Sequence, residues 1–143
     1  MSYPVTSPPS SFELLNNLVV QAAMDEAWLD SLMQDPIARH EEGGWIYVEF
    51  STGLISIRRA PAGGRSNLDL SNPPVVPGSV VVGTFHTHPN PTAEGWVPGP
   101  STTDNDSANR SGVPWLIQAD DGRYETGPTS RRGGLAGPGG YPF

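Results

Sequence analysis

The chain has no cysteine among its 143 residues. That removes disulfides, Cys-based zinc fingers and thiol catalysis together, and leaves the redox compartment open. Basic residues are scarce: eight Lys+Arg stand against fifteen Asp+Glu, for a net charge of −7 at pH 7. The basic pairs Arg58-Arg59 and Arg131-Arg132 are short and far apart. No continuous basic stripe is offered, so nucleic acid is disfavoured as a partner. No apolar run reaches the length of a membrane span, which argues against a membrane partner. Residues 1–11 are rich in Ser and Pro and lack both a basic start and an apolar h-region. The expectation is a cytoplasmic protein without a signal peptide, with specialised secretion left open.

Glycine and proline are abundant instead, at 17 and 16 residues, above the usual share for a globular domain. They concentrate at 60–64, 72–78, 89–100 and 127–143, which read as loops and a tail. The length suits one domain with a sizeable core. The expected division is a flexible arm over 1–10, a domain over 11–126 and a loose Gly/Pro/Arg-rich tail over 127–143. No internal repeat is visible.

Ser10 and Glu13 have the spacing of a capping box. Behind them Leu15, Leu18, Val19, Ala22, Leu29 and Leu32 recur at helical spacing, so one long helix is expected from about Ser11 to Gln34, ended before Pro36. Trp45–Phe50 and Leu54–Arg58, joined at Thr52-Gly53, read as a hairpin. Residues 66–70 carry a weak strand signal inside a long loop. Val80–Phe85 is the most apolar short run and reads as a buried central strand. A short helix over Asp104–Arg110 and a second hairpin, Trp115–Ala119 with Arg123–Thr126, follow. The fold class is α+β with a mixed or antiparallel sheet.

The chemistry collects at the end of the buried strand. His86 and His88 lie two apart, so on a strand both imidazoles point to one face and can converge on one ion. Zinc takes neutral imidazole nitrogens and a carboxylate oxygen, and a catalytic site keeps a fourth position for water. Asp104 is the best third ligand, because the 89–100 loop can fold it back over the strand end; Asp106 is its rival. A metal-assisted hydrolase also needs a general base. Glu41 and Glu42 are both candidates, and a one-residue slip in a strand reverses a side chain, so only one can serve. Ser101 can donate to a developing oxyanion, or simply cap a helix. His40 reads as a solvated neighbour of Glu41. Trp96, on the Pro/Gly loop, reads equally as a substrate contact or as the anchor of an ordered loop.

Glu41-x-x-Gly44, His86-x-His88-Pro89 and Ser101-x-x-Asp104, in that order, resemble the signature of the JAMM metallopeptidases, also called the MPN or JAB family. The resemblance spans roughly residues 12–126. It implies an MPN/JAB-like (cytidine-deaminase-like) mixed sheet with a long N-terminal helix and a short helix after the His-x-His-Pro strand. It implies one zinc ion per chain on His86, His88 and Asp104, Glu41 as acid/base and Ser101 as oxyanion stabiliser. The implied activity is cleavage of peptide or isopeptide bonds, on protein or peptide substrates that include ubiquitin-like and sulfur-carrier proteins ending in glycine. Alternatives are a non-catalytic MPN-type scaffold and a delivered effector or toxin domain. Two features depart from the pattern: eleven residues separate Pro89 from Ser101, more than the family's short spacer, and a second Glu follows Glu41. Arg131-Arg132-Gly133-Gly134 looks like the end of a ubiquitin-like protein and could act as a product mimic if it reached the zinc; a low-complexity tail is the simpler reading. Oligomeric state is not legible.

Overall fold

A computed structural model describes residues 7–135. Its core is one five-stranded mixed sheet in the order β2-β1-β3-β4-β5. The strands are β1 (Gly43–Glu49), β2 (Ile55–Arg59), β3 (Ser79–Thr87), β4 (Trp115–Ala119) and β5 (Gly122–Thr126). The two hairpins expected from the sequence form, and β3 lies between them, antiparallel to β1 and parallel to β4. The parallel pair requires a crossover. Residues 88–114 provide it, with helix α3 (Thr102–Ser111) inside.

Every residue of β3 is buried, as its apolar run requires, and its side chains divide two cores. Val80, Val82 and Phe85 pack with Ile46, Val48, Leu14, Val20 and Met24. Val81 packs on the other face with Tyr47, Trp45, Trp115 and Ala108 of α3. The register between β1 and β3 shifts after Ile46; an added residue of this kind re-aims the side chains beyond it. Gly44 is held by its neighbours: a Cβ there would sit 2.1 Å from the Arg58 carbonyl oxygen.

The N-terminal helix is a correction. Instead of one helix over Ser11–Gln34 there are two, α1 (Ser11–Leu15) and α2 (Leu18–Asp30). The Ser10/Glu13 capping box forms as expected. The break arises because Asn17 accepts the backbone N–H groups of Val19 and Val20 and starts a second helix. The break also rotates the apolar face. Val20, Met24 and Ala27 are buried, whereas Leu18 and Leu29 are 79% and 75% exposed, so the expected stripe of Leu18, Val19, Ala22, Leu29 and Leu32 is not the packed one. Residues 66–70 belong to no strand, although Leu70 is buried. Helix α3 starts at Thr102, two residues before the expected start at Asp104.

The expected boundary at 126 also moves. Thr129 accepts the Ser11 N–H at 2.6 Å, and Ser10 and Ser130 form a bridge. Arg131 is buried and donates to the Val81 carbonyl at 2.8 Å, and Leu135 joins the core beside Leu14 and Val20. Arg132 bonds the backbone oxygens of Gly112 and Asn109, so the Arg-Arg-Gly-Gly stretch is fastened near the C-terminal end of α3, and not at the His86 end of β3. The remainder of the expected tail, 136–143, and most of the expected arm, 1–6, lie outside the described residues.

Candidate metal centre

The C-terminal end of β3 is held from both sides. Thr87 N–H donates to the Glu42 carbonyl at 2.9 Å and His88 N–H to the Gln118 carbonyl at 2.8 Å. Strand alternation then sorts the side chains. Thr87 turns toward α2, where its hydroxyl lies 2.6 Å from Ser31 Oγ and accepts the Glu42 N–H at 3.0 Å. His86 and His88 turn to the face that carries α3. His86 is buried, with Trp115 edge-on at 5.8 Å between ring centres; His88 is half-buried.

Asp104 meets them from α3. Ser101 caps that helix: its Oγ accepts the Asp104 N–H at 3.0 Å, and Asp104 Oδ2 accepts the Ser101 N–H at 2.9 Å. This reciprocal cap fixes the Asp104 carboxylate, with Oδ1 3.2 Å from His86 Nε2 and Oδ2 3.2 Å from His88 Nε2. The two Nε2 atoms are 3.1 Å apart. His88 Nδ1 lies 3.0 Å from the Pro98 carbonyl oxygen. That acceptor places the ring proton on Nδ1 and leaves Nε2 with a lone pair, the state a metal ligand needs.

Glu41 completes the group. A carboxylate oxygen of Glu41 and one ring nitrogen of each histidine lie within 4.8 Å of one another. Its backbone is pinned by Gly64 at 2.8 Å and Gly63 at 2.9 Å. Glu42 points the other way: Arg59 holds it at 2.6 Å and His40 at 2.5 Å. The two adjacent acids, just ahead of β1, thus point apart, one at the histidines and one in an ion pair. His40 bonds Glu42, not Glu41. Asp106 is exposed on α3 and is not among the residues gathered around the histidines. Trp96 is 43% exposed and does not line the cleft around Glu41, His86 and Ser101.

The electrostatics follow from burial. Desolvation pushes the Glu41 carboxyl up to about 7, partly offset by His88. Burial lowers His86, beyond what Asp104 restores. Burial also acts to lower His88, but hydrogen bonding and charge from Asp104 with help from Glu41 outweigh it, and His88 ends above its ordinary value. Asp104 feels desolvation first, yet the two histidine bonds hold it well below the usual carboxylate range.

The donors fit zinc. Two ligands on a tetrahedral zinc with bonds near 2.0–2.1 Å lie roughly 3.3–3.4 Å apart, close to the 3.1 and 3.2 Å found here. Two facing imidazole nitrogens, here the Nε2 atoms of His86 and His88, repel unless a proton or an ion lies between them. The centre opens into a cleft of about 310 Å³ that also includes Ser101, Leu68 and Trp115. A second cavity of about 300 Å³ shares Leu68, Leu70, Ser107 and Trp115 and continues along α3 toward Arg110.

Sequence reasoning did not reach Thr87, Ser31 or the Pro98 carbonyl, and it read Arg59 as part of a solvated strand face, whereas Arg59 pairs with Glu42, Glu26 and Asp30. Strand alternation is the signal that could have placed Thr87 opposite the two histidines; nothing local marks Ser31 or the Pro98 carbonyl. No family model, curated protein or solved structure matches the chain.

Proposed function

We propose that this protein is a zinc-dependent hydrolase. Within that class, the donor set and its order along the chain suit a JAMM-type metallopeptidase that cleaves peptide or isopeptide bonds. The five-stranded mixed sheet with helices on both faces is compatible with the MPN/JAB architecture that the resemblance implies. One observation carries the reading: His86, His88 and Asp104 converge within 3.2 Å of one another, with Glu41 in reach and Glu42 turned away.

In this reading His86, His88 and Asp104 would hold one zinc ion. Bound there, zinc supplies Lewis acidity and a water whose pKa falls to about 7. Glu41 would take the proton that the attacking water gives up and return it to the leaving amine. Its place beside both histidines suits both roles, because an acid–base group must lie within reach, directly or through one water, of the proton it moves. Ser101 accepts a backbone N–H through its oxygen, which leaves its O–H free to face the scissile carbonyl. Trp115 and Leu68 keep one wall apolar, and the adjoining cavity along α3 accommodates an extended polypeptide. The substrate class proposed is the C-terminal glycine stretch of a ubiquitin-like or sulfur-carrier protein.

The test begins with metal content. Purified without chelator, the protein is expected to carry near one zinc per chain by elemental mass spectrometry, and His86→Ala and Asp104→Ala to carry none. Glu41→Gln should keep zinc and lose hydrolysis of carrier-type substrates. A wild type that neither holds zinc nor takes it up at neutral pH overturns the reading.

A further inference from the structure

The eleven residues between Pro89 and Ser101 contribute no candidate ligand, yet they are fastened at three points by three separate elements. Asn90 is buried and donates to the Arg65 carbonyl at 2.9 Å. Thr92 donates its N–H and its hydroxyl to Asp120 Oδ2, both at 3.0 Å. Glu94 takes Arg39 Nη1 on both oxygens at 3.1 Å. The last contact is lopsided in exposure: the Arg39 side chain is 3% exposed and Glu94 is 48% exposed. A buried guanidinium is costly without a partner, so the loop, through Glu94, makes the burial of Arg39 tolerable, and Arg39 in turn fixes where the loop lies.

Local sequence aims Arg39 inward. Asp35 Oδ1 accepts the N–H groups of Ile37 and Ala38 at 3.0 and 3.1 Å, and the Asp35 carbonyl accepts the Arg39 N–H at 2.9 Å. One tight turn around Pro36 results. Past Glu94 the chain reverses at Gly95, whose φ is +89°. Three residues later Pro98 presents its carbonyl to His88 Nδ1 at 3.0 Å.

We propose that Arg39 is a positioning residue of the metal centre: through Glu94 it holds the loop so that the Pro98 carbonyl fixes the ring of His88. Asp104 competes for the same ring's proton at Nε2, 3.2 Å away. Only the acceptor at Nδ1 keeps Nε2 available as a ligand, and that acceptor sits on a loop whose only regular stretch is the 3-10 turn Thr92–Glu94. Partners of this kind, behind a ligating histidine, typically change metal affinity by about 10- to 100-fold. The inference rests on the zinc reading.

The experiment measures zinc affinity by competition with a chromophoric chelator, and the zinc release rate, for wild type, Arg39→Met, Glu94→Gln and Arg39→Lys. Urea unfolding of the chelated proteins runs beside it. Arg39→Met and Glu94→Gln should weaken zinc by about 10- to 100-fold, mainly through faster release. A single nitrogen, Nη1, reaches both Glu94 oxygens, so Arg39→Lys, with its point charge, should restore affinity close to wild type. The ring N–H proton of His88 in the zinc-loaded protein should exchange faster in Arg39→Met than in wild type. Wild-type affinity and release in both Arg39→Met and Glu94→Gln overturn the inference and leave the hydrolase reading standing. So does a loss of affinity no larger than the loss of metal-free stability. A wild type that binds no zinc overturns both.

Discussion

Glu41 should destabilise the metal-free protein in which it sits, and Glu41→Gln measures by how much. Desolvation raises its carboxyl from 4.5 to about 7. The folded state therefore holds a proton that the unfolded chain has released throughout that window. A raised carboxyl favours folding while protonated, so the contribution of Glu41 to stability is greatest below 4.5 and falls as pH climbs to about 7. The gap corresponds to about 3 kcal/mol at most. Glutamine is neutral at every pH and nearly the same shape. With chelator present, Glu41→Gln should match wild type under acid conditions. It should exceed wild type by about 2–3 kcal/mol at mildly alkaline pH. Urea unfolding followed by tryptophan fluorescence at both ends of the window reads the difference directly. Zinc should shrink the advantage, because a cation beside Glu41 stabilises its charged form. An advantage that does not change with pH, or a variant less stable than wild type above the window, would falsify the desolvated position assigned to Glu41.

Zinc affinity should fall toward acid pH, starting above the ordinary histidine value of 6.5, because His88 is the raised imidazole and its proton competes with the metal; calorimetric titration across neutral pH tests this. Gly44→Ala should cost at least about 2 kcal/mol in thermal or urea unfolding, since its Cβ has only 2.1 Å to the Arg58 carbonyl. Truncation after residue 130 should destabilise by about 2–5 kcal/mol, because it removes the buried Leu135 and the Arg131 bond to Val81; an unchanged unfolding midpoint would show that the stretch does not pack.

The sheet was legible because its signals are local and strong. Apolar runs, alternation and a Thr-Gly or Asp-Gly turn marked four strands, and the uninterrupted Val80–Val82 run marked the buried one. The proximity of His86, His88 and Asp104 was legible for a related reason, since strand alternation and one helix cap suffice to bring them together. That only one of Glu41 and Glu42 could face the histidines was legible from their adjacency, but which one did so depended on the distant partners Arg59 and Gly63–Gly64 that fix them. The helix break was hidden because the apolar spacing runs on through Asn16-Asn17, and only the cap reveals it. Arg131 and Leu135 were hidden because a Gly/Pro/Arg composition carries no periodicity from which burial can be read. Arg39 was invisible for a deeper reason: its partner Glu94 lies 55 residues away, and no local pattern couples them.

The candidate ligands all fall between His86 and Asp104, on one strand, one loop and one helix cap, whereas the base arrives from the opposite side of β3 at the head of β1. Two separable inheritances follow. On the proposed reading, a variant that loses Glu41 would keep the ion-holding segment and gain stability in its metal-free form, while one that loses His86 or Asp104 would lose the ion itself. The acid and the candidate ligands are thus carried on separate stretches of chain, so position 41 can change without disturbing the fold around His86, His88 and Asp104.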